Sequence, residues 1–194
     1  MKDGTRMARG LRIAGVAAAL LAGSAWAQEK YDGYLCCNMR TDGSWISDSN
    51  YAENGKRVIP AGTPVRVTGY GRYRVRIVVD GEKQAIGNDY SRDLDDAAFA
   101  RRYVVTTDPK AAIAGWPEKV RAAVEKSKVT PGMTRDQVLT SLGYPISSEN
   151  PDLDSNLWRY WLSSFAEFQL HFDERGRLAD ITADPATKNR VWMP

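Results

Sequence analysis

The chain carries one histidine, His171, and two cysteines that are neighbours, Cys36 and Cys37. A Ser-His-Asp or Cys-His set would have to be built around that one imidazole. His171 lies in "EFQLHF", out of phase with Phe168, Leu170 and Phe172, so its alternation places it on the outward face of a strand. Adjacent cysteines are not a zinc spacing, and no metal site is expected. In an exported chain the pair has three readings: two buried thiols, a vicinal disulfide, or one bond to another chain. Gly69 and Gly71 flank Tyr70 in what reads as a hairpin turn rather than a phosphate-cradling loop. Asp95-Asp96 and Asp152 with Asp154 sit at helix starts and in loops, where carboxylates cap backbone N–H groups. No catalytic residue and no cofactor is expected, so the chain reads as a protein that is not an enzyme.

Arginine supplies the remaining chemistry. In "PVRVTGYGRYRVRIVV", Val65 and Val67 alternate with Arg66, and Tyr73, Val75, Ile77 and Val79 alternate with Arg72, Arg74 and Arg76. A hairpin that keeps Val67 and Tyr73 on one face needs an odd-length loop, supplied by Gly69-Tyr70-Gly71. Thr68 then pairs with Arg72, Val67 with Tyr73 and Arg66 with Arg74. Arg66, Arg72, Arg74 and Arg76 share one face, with two like charges directly opposite, an unfavourable arrangement unless something negative lies nearby. The stripe is a candidate docking face for an anionic component, because the guanidinium fork binds carboxylate or phosphate through two hydrogen bonds.

The first 27 residues read as a secretory signal peptide: a lead containing Arg6, Arg9 and Arg12, an apolar run from Ile13, and the small-x-small close Ala25-Trp26-Ala27. The chain has 27 Lys and Arg against 24 Asp and Glu. The leader takes four of the basic residues (Lys2, Arg6, Arg9, Arg12) and one acidic residue (Asp3), leaving 23 of each sign and no net charge. A nucleic-acid partner recognised through overall charge is therefore not expected. No lipid-anchoring cysteine follows the leader, and the expected location is periplasmic, with association to the outer membrane open.

Residues 31–108 read as a β-rich domain, a small β-barrel or sandwich by its short alternating runs, an Asn54-Gly55 turn and the hairpin signal Asp80-Gly81, and a small SH3-like β-barrel by the resemblance that follows. "IPAGTPVRV" resembles the entry to a strand of bacterial SH3-like domains. "DLDDAAFARR" is a short helix and "YVVTT" strand-like, and Asp108-Pro109 suits the start of another helix. Residues 109–185 read as a second domain. Trp116 to Ser127 is an amphipathic helix. "LWRYWLS", "AEFQLHF" and "RLADITA" form an antiparallel meander. The expected class is α+β, with two helices covering one face of a three-stranded antiparallel sheet. Residues 186–194 read as a tail.

Between helix and meander, "VTPGMTRDQVLTSLGYPISS" specifies one short helix several times over. Thr134 and Gln137 form a capping box, and Met133 with Val138 forms a hydrophobic staple. Gly143 suits the positive φ that ends a helix, and Pro145 blocks its resumption. A helix of two turns is marginal alone, so the signals fix it against a neighbour. Gly132-Met133-Thr134, Gln137-Val138, Leu142-Gly143 and Pro145, followed by Trp158-x-Tyr160 and Phe172-Asp173-x-x-Gly176-x-Leu178, resemble the signature of the SmpA/OmlA (BamE-like) domain over residues 116–183.

The resemblance implies a non-enzymatic periplasmic protein of the cell envelope, a scaffold or adaptor around outer-membrane protein assembly, with envelope proteins as partners. Two other functions fit a chain of this composition. One is a peptidoglycan-binding module, with anionic lipid as a further ligand of the basic face. The other is an inhibitor of an envelope enzyme, since the two-layer fold also resembles β-lactamase-inhibitor proteins.

Overall fold

The computed structural model describes residues 29–52 and 55–194. The leader and Asn54 of the expected Asn-Gly turn lie outside the described residues. The first part is an eight-stranded sheet built from β1 (Tyr31–Leu35), β2 (Met39–Thr41), β3 (Trp45–Ser47), β4 (Arg57–Ile59), β5 (Pro64–Gly71), β6 (Arg74–Val79), β7 (Glu82–Gly87) and β8 (Val104–Val105), in the order β4-β2-β3-β7-β6-β5-β1-β8. Most neighbours are antiparallel, but β3 and β7 run parallel, with Ile46 opposite Ile86. The order begins at β4 and ends at β8 without a ladder between them, so the described strands form one curled sheet, and the small SH3-like barrel expected is not confirmed by it. Alternation decides its buried face: Val65, Val67, Val75, Ile77, Val79 and Ile86 pack with Leu35, Met39, Phe99 and Tyr103. The last two lie on α1 (Asp96–Tyr103), whose N-cap Asp95 accepts a hydrogen bond from the Ala98 N–H.

Helix α2 (Pro109–Ala114), capped by Asp108, leads to α3 (Glu118–Glu125) and α4 (Arg135–Leu142). A separate antiparallel sheet follows, β9 (Leu157–Ser163), β10 (Ala166–Phe172) and β11 (Leu178–Ala183), with β10 central. Val120, Ala123 and Val124 of α3 and Val138 and Leu142 of α4 share one core with Trp158, Tyr160, Phe168, Leu170 and Ile181 of the sheet. This is the two-layer arrangement that the amphipathic spacing requires.

The closing residues correct the sequence reading. Instead of a tail, Pro185–Val191 form α5, started by Asp184, whose carboxylate accepts from the Ala186 and Thr187 N–H groups. Val191 is buried in the second core, and the Val129 and Met193 N–H groups bond across to the Val191 and Val129 carbonyls. The segment "ATKNRV" has a single strongly apolar residue, so its burial is set by what it meets and leaves little periodicity to read.

Candidate functional site

The arginine hairpin differs from its expected register. Gly69 and Gly71 are strand residues, and the turn is Arg72-Tyr73, between the pair Gly71 and Arg74. Tyr73 takes φ 58°, and its carbonyl accepts the Asn88 N–H at 2.9 Å. A β-bulge between Val67 and Gly69 gives β5 one extra residue, Thr68. That extra residue lets Val65 and Val67 stay inward, turns Tyr70 toward the core, and frees Tyr73 from the buried face. Tyr73 is 41% exposed. Arg66 consequently stands opposite Val78 and Asp32, not Arg74, and its Nε bonds the Asp32 carboxylate at 2.6 Å.

Arg72, Arg74 and Arg76 are exposed, and among the described residues no carboxylate pairs with any of them. Aromatic rings hold two of them instead. Arg72 and Arg92 lie 5.3 Å and 4.2 Å from the Tyr73 ring centre, and Arg74 lies 5.1 Å from that of Trp45. The Trp45 ring rests on Gly87, where a Cβ would meet it at 2.0 Å. Its Nε1 donates to Asp89 at 3.2 Å.

Cys36 and Cys37 are joined to each other as a vicinal disulfide, the second of the three readings. Cys37 is buried in the first core, and Cys36 is half-buried beside Leu139, Thr140 and Tyr144.

At α4 the Gln137 N–H donates to Thr134 Oγ1 at 3.2 Å, and the Thr134 N–H donates to Gln137 Oε1 at 2.9 Å. Met133 and Val138 are both fully buried. Gly143 ends the helix at φ 82°, and the side-chain amide of Asn50 fills the space where its Cβ would stand. The Tyr160 hydroxyl donates to the Gly143 carbonyl at 3.1 Å, and the Trp158 ring meets Phe172 edge-on at 4.7 Å. Pro145 follows the helix outside any regular element. Thus Met133, Thr134, Gln137, Val138, Gly143, Trp158 and Tyr160 build the helix-on-sheet joint, while the arginines lie on the other sheet.

Two residues that sequence reasoning did not single out bind the halves together. Asn38 Nδ2 lies 2.6 Å from the Val124 carbonyl, 3.1 Å from Ser127 Oγ and 3.2 Å from the Ser141 carbonyl, and Asn38 Oδ1 accepts the Ala61 N–H. Asn50 Nδ2 donates to the Asn38 and Leu142 carbonyls, and its Oδ1 accepts the Arg40 N–H. Both are buried, and an unbonded amide there would be costly. The one sequence clue is that Asn38 interrupts the apolar run "YLCCNM"; Asn50 lies in the polar stretch "SDSNY" and carries no such signal.

The outward face of the smaller sheet carries Arg159, Trp161, Glu167, Gln169 and His171. His171 Nε2 meets Thr182 Oγ1 at 2.9 Å, and Trp161 Nε1 donates to Glu149 at 2.7 Å. Phe165, at the β9–β10 turn, is 99% exposed. A cavity of about 710 Å³ runs along β1 and β5 past Asp32, Tyr34, Val65, Arg66 and Asp80, without a nucleophile–base pair. Among the described residues no group of three His, Cys, Asp or Glu is placed to hold a metal, and no helix is long and apolar enough to cross a membrane.

Residues 123–182 match the family model of the outer membrane protein assembly factor BamE domain. The C-terminal half of the chain holds a BamE-type domain. The matched stretch runs from Ala123 of α3 through α4 to Thr182 of β11, the elements that share the second core. The eight-stranded sheet, with its arginines and Trp45, lies outside the BamE match. No curated protein and no solved structure matches the chain.

Proposed function

We propose that the chain is a non-enzymatic cell-envelope protein that works as a scaffold or adaptor in outer-membrane protein assembly. The observation that carries this is the BamE match over the helix-on-sheet core. A periplasmic location after removal of the leader accords with it, as does a division into domains over 31–108 and 109–185. The SH3-like description of the first domain rests on "IPAGTPVRV" alone.

The face of the smaller sheet opposite α3 and α4 is the docking face for envelope proteins. It carries the half-buried Trp161 and, at its rim, the exposed Phe165, the kind of aromatic anchors on which interfaces concentrate binding energy. The Asn38 and Asn50 bonds make the larger sheet travel with this face, as an adaptor requires. Neither the peptidoglycan-binding nor the inhibitor reading gains support from the BamE match.

Cells lacking the protein should hold less folded β-barrel protein in the outer membrane. Wild-type chain should restore it, and a chain with Trp161→Ala and Phe165→Ser should not. Unchanged β-barrel levels on deletion would count against the proposal.

A further inference from the structure

We infer that Arg74 and Arg76, walled by Trp45 and the Arg72-Tyr73 turn, form a docking strip for the side-chain carboxylates of an acidic, extended segment of a partner protein. The strip lies outside the BamE match, so this inference stands or falls separately from the role proposed above.

Three observations carry it. The first is convergence. A Cβ on Gly71 would meet Arg74 Cγ at 3.2 Å, Arg74 Cδ at 3.4 Å and Arg76 Nη2 at 3.5 Å. The stem of one arginine and the head of the other thus meet over a residue with no side chain. Like charges brought together in this way repel, and among the described residues no carboxylate forms an ion pair with either. Arg66, on the same outward face, has its counter-ion in Asp32.

The second is preorganisation. Arg74 is stacked on Trp45, and Trp45 is fixed by Gly87 beneath it and Asp89 at its Nε1. The Arg74 Nε also donates to the Arg72 carbonyl at 3.4 Å, so the guanidinium is held at two points, presents its terminal N–H groups to a carboxylate and loses little further freedom on binding. The third is spacing. Arg74 and Arg76 are two residues apart on one strand, about 6.6 Å at the usual rise. Acidic side chains on alternate residues of an extended chain repeat at that same interval.

The flanks favour a narrow partner over a membrane plane. Asp89 stands beside Trp45 on one side and Asp32 beside Arg66 on the other. A broad anionic sheet would press its charge against both carboxylates, whereas a single acidic strand passes between them.

The test is fluorescence anisotropy with a labelled peptide of alternating Glu and Ser, its Gln-Ser counterpart, and vesicles of phosphatidylglycerol mixed with phosphatidylcholine. Wild type should bind the Glu peptide and not the Gln one, and about 0.5 M salt should abolish binding. The double variant R74Q/R76Q should bind about tenfold more weakly or worse. Arg66→Gln, whose charge is already neutralised, should stay within about twofold. Gly71→Ala retains every charge but places a methyl group between the two arginines, and it should weaken binding several-fold. Circular dichroism melts show that each variant is folded. Absence of wild-type binding to the Glu peptide, equal binding of the Gln peptide, undiminished binding by folded R74Q/R76Q, or a preference for the vesicles over the peptide would each overturn the assignment.

Discussion

The Asn38 side-chain amide donates to the Val124 carbonyl at 2.6 Å, joining the end of β1's connection in the larger sheet to the last turn of α3 in the BamE-type domain. The same side chain reaches Ser141 of α4 and accepts from Ala61, so one buried residue ties together three segments. Asn38→Ala should leave the Ala61 N–H and two carbonyls without these partners and cost about 2–3 kcal/mol. Asn38→Asp should cost more, because a carboxylate would face the carbonyl oxygens of Val124 and Ser141. Denaturant unfolding should be one cooperative transition in the wild type. In the variants it should shift to lower denaturant and broaden toward two steps. An unshifted midpoint for Asn38→Ala would contradict the role assigned to this joint.

At α4, Thr134→Ala should cost about 1 kcal/mol, the usual loss for an N-cap hydroxyl. Gly143→Val should cost more for two reasons. Its φ of 82° is hostile to a β-branched residue, and a Cβ would stand 3.0 Å from the Asn50 amide nitrogen that bonds the Leu142 carbonyl. Chemical denaturation of both variants gives the two shifts, and Gly143→Val should be the larger.

The disulfide is open to a direct check by mass. Non-reduced intact chain should be two mass units lighter than reduced chain while remaining monomeric. Iodoacetamide should add nothing until a reductant is present. Rapid labelling of folded, unreduced protein would contradict the Cys36–Cys37 bond.

Asp48 connects structure to pH. It is 1% exposed, and burial raises its carboxyl above the ordinary value, with the N–H groups of Tyr90 and Ser91 acting in the opposite direction. A carboxyl raised on folding binds its proton more tightly in the folded state. Its contribution to stability is therefore fully present below its unfolded pKa, about 3.9, and is lost as pH rises through the higher folded value. Carbon-13 titration of the Asp48 carboxyl should give a midpoint above the unfolded value, and Asp48→Asn should remove this segment of the stability–pH curve. A midpoint at or below that of a model peptide would refute the burial effect.

What the sequence disclosed follows from how local each signal is. Thr134, Gln137, Met133, Val138 and Gly143 lie within eleven consecutive positions, so α4 and its two ends could be read directly. Strand alternation likewise identified the inward residues of β5, β6 and β10. The Asn38 bonds reach 86 and 103 positions along the chain, and no local pattern announces them. The hairpin misled for a related reason. Tyr73 looked like a core residue by alternation, but the bulge at Thr68 shifts the register and puts the ring on the surface, where two arginines stack on it. The parallel β3–β7 pair and the docking of α5 through Thr187 and Val191 also depend on distant partners.

The most direct test of the central claim is crosslinking from the open face of the BamE-type sheet in living cells. A photoreactive amino acid placed at Trp161, and separately at Phe165, should yield specific crosslinks to subunits of the outer-membrane assembly machinery. A photoreactive group at Glu118, an exposed residue at the start of α3, should yield none. Crosslinks from Trp161 and Phe165 that contain no assembly subunit, in cells where the protein is folded and exported, would contradict the account.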